Sequence, residues 1–180
     1  MAHSNTVFHQ LLHLLDRHDF RKIERNGFRA KRKYRTLNRW GQFVVMMFAQ
    51  ITRRSSLRDI VHQFQFQAAR LYHLGILAVK RTTLADANNK RSAEFFQALF
   101  EHQYAKCATF APRNKFLFKK KLYTFDATTV NLRLSHFPWA KCRTTKGGIK
   151  LHTLLDHDRY LQAFIKITAA KEPISRWLNS

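Results

Sequence analysis

The chain has 180 residues, with 33 Lys and Arg against 11 Asp and Glu, a formal net charge of +22. A hydrophobic fraction of 45% and 16 Phe can supply a core for one domain or two small ones. The charge excess excludes an ordinary enzyme of neutral substrates and points to a polyanion. Nucleic acid ranks ahead of an anionic membrane surface, because no helix reads as cationic on one face and apolar on the other.

Cys107 and Cys142 are the only cysteines, and no C-x-x-C spacing occurs. That argues against a zinc ribbon or finger and fits a reducing cytoplasm. Residues 1–10 lack an apolar signal core, and the longest apolar run, Phe43 to Ala49, is too short to cross a bilayer. The expectation is a soluble, cytoplasmic chain with no membrane partner.

In chain order, Asn5 or Thr6 caps a first helix whose apolar stripe is Phe8, Leu11, Leu12 and Leu15. His9 and His13 have metal-ligand spacing but no evident third ligand, so they read as a solvated face. From Arg17 to Arg39 the composition turns basic: Arg25, Arg29, Lys31, Arg32, Lys33, Arg35 and Arg39 crowd around Phe28 and Tyr34. The stretch reads as a basic loop or arm able to track a phosphate backbone, the alternative being a merely solvated charge run.

Trp40, Phe43, Val44, Met47, Phe48 and Ile51 mark a buried helix. Ser56-x-x-Asp59 is a capping-box-like start, followed by an apolar face of Leu57, Ile60, Val61 and Phe64. A short helix from about Ala68 to Leu74 ends at Gly75, a suitable left-handed cap. Thr83-x-x-Asp86 opens a further helix that packs Leu84, Phe95, Phe96, Leu99 and Phe100. Its polar positions include Asn88, Asn89, Lys90 and Arg91.

Short helices around a glycine turn resemble a helix-turn-helix arrangement, although any small basic bundle gives the same pattern. Asn and Arg read adenine and guanine edges, so Thr82, Asn88, Lys90 and Arg91 are candidate DNA contacts beside Arg29, Lys31, Arg32, Lys33, Arg35 and Arg39.

Ala111-Pro112-Arg113-Asn114 breaks the helical pattern, placing a domain boundary near residue 115 and domains at 1–114 and 115–180. Leu122 to Asn131 then reads as a strand with Asp126 at its middle. Apolar neighbours suggest a buried strand, a costly place for a carboxylate without a cation or metal partner. Asp126 is also the only acid between Glu101 and Asp156. Two readings stand: a metal ligand acting on phosphates, or a structural aspartate paired with Arg or Lys or lying at a strand end.

A basic insert from Arg133 to Gly148 leads to a second strand, Ile149 to Leu155, and turn chemistry at Asp156-His157-Asp158-Arg159. A third strand, Tyr160 to Thr168, completes an antiparallel hairpin, with Leu161, Ala163, Ile165 and Ile167 expected on one face. Lys146 and Lys150 are the candidate DNA contacts of this half. Such a sheet needs a covering layer, so the second domain reads as unfinished.

With these residues in view, the chain resembles bacterial insertion-sequence transposases of the DDE type, near the insertion-sequence-4 family, from about Phe8 to Thr168. The resemblance rests on Ser56-Leu57-Arg58-Asp59-Ile60, Leu71-Tyr72-His73-Leu74-Gly75 and Arg81 to Arg91. In the second half it rests on Phe125-Asp126-Ala127-Thr128-Thr129 and Gly148-Ile149-Lys150-Leu151-His152-Thr153.

The resemblance implies an α+β chain: a basic all-α N-terminal domain, then the first three strands of a truncated RNase H-like core. Asp126 matches the first catalytic, metal-binding acid of that core. In the family two Mg²⁺ ions held by three acids promote attack on a DNA phosphodiester. The chain is expected to end before the second and third acids, which Asp156, Asp158 and Glu172 do not replace. The expectation is therefore DNA binding without strand cleavage, with Mg²⁺ not stably held and 172–180 a candidate frameshifted tail.

Expected partners are transposon terminal inverted repeats and a second copy or the full-length transposase, in the bacterial cytoplasm at the nucleoid. The competing expectations are a non-catalytic or inhibitory DNA-binding fragment and a general basic protein of RNA or ribosomes. No RNP-like or KH-like motif supports the last. A His- and Cys-based hydrolase has no nucleophile elbow, HExxH or P-loop behind it.

Overall fold

A computed structural model describes residues 6–30, 34–67, 74–76, 78–112, 120–132, 138–140 and 147–172. The chain is α+β and divides into two compact units, Met1–Glu101 and His102–Ser180, the division falling inside the last helix. The boundary expected near residue 115 lies outside the described residues.

In the first unit, α1 (Val7–His13) starts where Thr6 accepts a hydrogen bond from the His9 N–H at 3.2 Å. It buries Leu12, and Leu15 follows it into the core; Phe8 meets Phe48 edge-on at 5.7 Å.

The basic loop or arm expected throughout Arg17 to Arg39 does not extend over its first part, which is a helix, α2 (Arg17–Arg25). Asp16 caps it, accepting from the His18 N–H at 2.7 Å. Phe20 is 1% exposed, and Ile23 packs partly beside it. Phe20 meets Trp40 and Phe95 edge-on, with ring centroids 5.1 and 4.9 Å away. One buried ring with Ile23 three residues on makes a narrow apolar stripe, which the surrounding charges conceal in the sequence.

Asn38 caps α3 (Arg39–Ile51) through a 2.7 Å bond from the Gly41 N–H, and the helix buries Trp40, Val44, Val45, Phe48 and Ala49. Ile51, expected on the buried face, is 46% exposed at the helix end. The helix stops in a Schellman motif: Arg53 takes φ 54° and the Arg54 N–H donates back to the Ala49 carbonyl at 2.9 Å.

Ser56 caps α4 (Leu57–Phe66) as expected, accepting from the Asp59 N–H at 3.2 Å, while the Asp59 carboxylate lies 3.5 Å from Arg54 instead of closing the box. Ile60, Val61 and Phe64 are buried and Leu57 partly so, as the spacing predicts. Most of the helix expected at 68–74 lies outside the described residues. Leu74 is buried and its carbonyl accepts from the Trp40 indole at 3.3 Å, and Gly75 has the left-handed φ, 69°, expected of it.

The helix expected to open at Thr83 starts earlier and is in fact two helices. In α5 (Arg81–Lys90) the cap position is Lys80, without a side-chain bond, and Thr83 and Asp86 lie inside the helix. A break at 91–93 separates it from α6 (Glu94–Phe110), whose start is marked by Ser92 accepting from the Glu94 N–H at 3.1 Å. Leu84, Ala87, Phe95 and Leu99 close the core against α2, α3 and α4.

In the second unit, β1 (Tyr123–Leu132), β2 (Gly147–Asp156) and β3 (Leu161–Ala169) form an antiparallel sheet in that order. Asp156 closes the β2–β3 turn by accepting from the Asp158 N–H at 2.8 Å. The run expected on one face of β3 is interrupted. A bulge opposite Leu154 and Leu155 makes Ala163 the extra residue, so Ile165 and Ile167 face Thr153 and Leu151 while Leu161 pairs with Asp156.

Candidate nucleic-acid interface

The loop between α2 and α3 is the first half of the site. Arg29 and Arg35 are exposed on it. Lys31, Arg32, Lys33 and, in the second unit, Lys146 lie outside the described residues. The loop is held to the end of α5 by Arg91. Its Nη2 donates to the Leu37 carbonyl, its Nη1 donates to Gln42 Oε1 at 3.0 Å, and its guanidinium lies 4.3 Å from the Tyr34 ring centroid. Burial pushes the Arg91 pKa below the ordinary arginine value; Tyr34 opposes that shift, Arg39 adds to it and Glu24 opposes it. An arginine so shifted is still a cation.

The second half is α5. Thr82, Asn88 and Lys90 are exposed on it, and Lys90 lies 3.7 Å from Asp86 one turn back. That ion pair is exposed on both sides and contributes little to stability, so Lys90 can exchange Asp86 for another anion. Arg91 thus brings the end of α5 and the basic loop together, with Arg35 and Lys90 each one residue from a group in the joint.

Three expected DNA contacts have other surroundings than the sequence suggests. Arg39, placed in the exposed basic arm, is 8% exposed. Its guanidinium stacks 5.0 Å from the Phe95 ring centroid, and its Nε lies 3.8 Å from a Glu24 carboxylate oxygen. Its position as the first residue of α3 turns it inward, where it ties α2 to α3. Asn88, expected to read an adenine edge, already uses both ends of its amide. Oδ1 accepts from Gln42 Nε2 at 2.8 Å and Nδ2 donates to the Met46 sulfur at 3.6 Å. Arg91, expected to read guanine, spends both terminal nitrogens on Gln42 and Leu37. Both side chains are therefore held by partners within the protein, Asn88 by Gln42 and Met46 and Arg91 by Gln42 and Leu37.

Asp126 also needs a correction. The strand expected to be buried is the sheet edge, and Asp126 is exposed. It pairs across β1–β2 with Thr153, on the face that carries Thr124, Thr128, Ile165 and Ile167. Ile165 and Ile167 are 40% and 57% exposed, so the β3 part of this face is solvent-exposed. β-Branched and aromatic residues correctly signal a strand, but burial depends on what packs against it.

Asp156 lies three pairs further along, about 10 Å at the usual strand rise, and on the opposite face. Asp158 is in the turn and Glu172 follows β3. Among the described residues no three His, Cys, Asp or Glu gather where a metal could bind. One carboxylate among threonines does not fit a site for two Mg²⁺ ions. Lys150 is half-buried on β2, opposite Thr129 and Thr168.

Sequence reasoning missed Gln42 and gave Tyr34 no role of its own. Gln42 is 2% exposed and joins Asn88 to Arg91, and Tyr34 is the platform for Arg91. A glutamine on the apolar face of α3 was the available signal, since a buried amide demands partners.

No helix among the described residues is long and apolar enough to cross a membrane. No curated protein and no solved structure matches the chain. Residues 3–77, from before α1 to just past Gly75, match DUF4372, a domain of unknown function.

Proposed function

We propose that this chain is part of an insertion-sequence DDE transposase and that its helical unit binds transposon-end duplex DNA through backbone phosphates. The observation that carries the reading is the basic loop fixed against α5 by Arg91, in a chain of net charge +22. The DUF4372 match supports it, that domain being found in transposase-like proteins. The antiparallel β1–β2–β3 order with Asp126 on the first strand is consistent with the beginning of an RNase H-like core.

Because Asn88 and Arg91 are engaged within the protein, phosphate contact precedes base reading in this proposal. Asp126 is proposed as the first acid of a metal site in the complete enzyme, and the chain is proposed to act in the bacterial cytoplasm at the nucleoid. The isolated position of Asp126 favours a second reading: a non-catalytic module that competes with full-length enzyme for transposon ends or assembles with it.

Fluorescence anisotropy with terminal-repeat duplex, unrelated duplex and structured RNA, titrated with salt, tests the reading. Duplex DNA is expected to bind tightly, with log affinity falling by about 0.9 per phosphate neutralised for each unit of log salt. Preference for structured RNA, or binding insensitive to salt, overturns it. With Mg²⁺ or Mn²⁺ present, no strand nicking is expected. Specific nicking abolished by Asp126→Asn would show that the chain is catalytically complete.

A further inference from the structure

We infer that Arg91 is a positioning residue, a latch that preorders the 34–37 end of the basic loop for DNA instead of touching DNA itself. The inference rests on the DNA-binding reading and assigns Arg91 a role different from that of a contact. Leu37 is 4% exposed and Asn38 caps α3, so the loop's C-terminal end is held by the core. Tyr34 is three residues further back, and Arg91 reaches it. The same guanidinium holds the Leu37 carbonyl and lies against the Tyr34 ring, so it fixes the stretch from Tyr34 to Leu37, which carries Arg35.

Arg91 is itself held in place. Gln42, buried on α3, accepts from Arg91 and donates to Asn88 on α5. The chain of contacts therefore runs from the α3 core through α5 to the loop. Two of the five guanidinium N–H donors and one face are engaged within the protein, one donor on each terminal nitrogen, so the side chain is held in a fixed orientation between the loop and α3. Lysine cannot reproduce the arrangement, having neither the planar fork nor the flat stacking surface.

The value of the latch to binding is the ordering that DNA no longer has to impose. Freezing loop backbone opposes association, so preordering a few residues raises affinity by about tenfold without a new contact. A latch and a phosphate ligand thus differ in two measurable ways. Removing a phosphate ligand lowers the salt slope by about 0.9 and is rescued by lysine. Removing a latch leaves the slope alone and is not rescued.

The test uses the full chain with Arg91→Lys, Arg91→Gln and Tyr34→Ala, measured by anisotropy on duplex DNA across a salt series and by amide hydrogen exchange. Tyr34→Ala attacks the joint from the loop and leaves the Gln42–Asn88 bond in place, which guards against a general loss of folding. All three are expected to lose about tenfold in affinity at an unchanged salt slope, with Tyr34→Ala adding nothing further to Arg91→Lys. Exchange at residues 34–38 is expected to quicken while the α3 core stays protected. Wild-type affinity in Arg91→Lys, together with a shallower slope in Arg91→Gln, would make Arg91 a phosphate ligand and overturn the inference. Unchanged exchange at 34–38 in Arg91→Lys would overturn the latch alone. Failure of the unmutated chain to bind duplex DNA would overturn the binding reading and this inference with it.

Discussion

Replacing Phe20 with alanine removes the one ring that gives α2 a reason to pack. Phe20 is 1% exposed and touches Trp40, Phe43 and Phe95 at centroid distances of 5.1, 5.6 and 4.9 Å. A buried aromatic removes on the order of 150–250 Å² from water, so at about 25 cal/mol per Å² the ring contributes roughly 4–6 kcal/mol. Alanine keeps part of that, and the cavity left behind adds a cost, so the expected loss is about 3–5 kcal/mol. Against a total stability of order 5–15 kcal/mol, the variant folds only marginally.

Urea unfolding followed by circular dichroism and by tryptophan fluorescence measures the effect. The midpoint is expected to fall with little change in slope, and the Trp40 contribution to the spectrum should change in the native state because Phe20 meets its ring edge-on. Phe20→Leu, which keeps most of the volume, is expected to cost about 1–2 kcal/mol. A loss below about 1 kcal/mol in Phe20→Ala, the scale of a surface substitution, would refute the placement of α2 in the core.

Two further substitutions probe single features. Arg53 holds a left-handed backbone at the end of α3, where glycine is favoured. Arg53→Gly should therefore raise unfolding free energy by about 0.5–1 kcal/mol, after allowing for glycine's looser unfolded chain, and a decrease would refute the strain. Asp126 is exposed on the sheet edge, so Asp126→Asn is expected to change stability by less than about 0.5 kcal/mol. Thermal unfolding checks it: a loss above about 2 kcal/mol would mean the carboxylate has a buried partner after all.

By itself the sequence determined what neighbouring residues settle among themselves. Ser56 and Asp59 form the α4 start because a cap bond spans three residues, and the inward positions of α4 follow from its period. The strands and the turn between β2 and β3 were equally legible, since strand propensity and Asp156 turn chemistry are local. The charge excess pointing to a polyanion is compositional and needs no fold.

Tertiary structure alone decided the rest, because each of these features depends on a residue far along the chain. α2 exists because Phe20 finds Phe95, Arg39 is turned inward by Phe95 and Glu24, and Arg91 is claimed by Tyr34, Leu37 and Gln42. Asp126 is exposed because, among the described strands, its own is the sheet edge, and Ile165 and Ile167 on the same face are exposed too. A charged side chain in a basic run has the same sequence signal whether it meets a phosphate or a phenylalanine. Which of the two it meets is set by packing between elements that are distant in the chain.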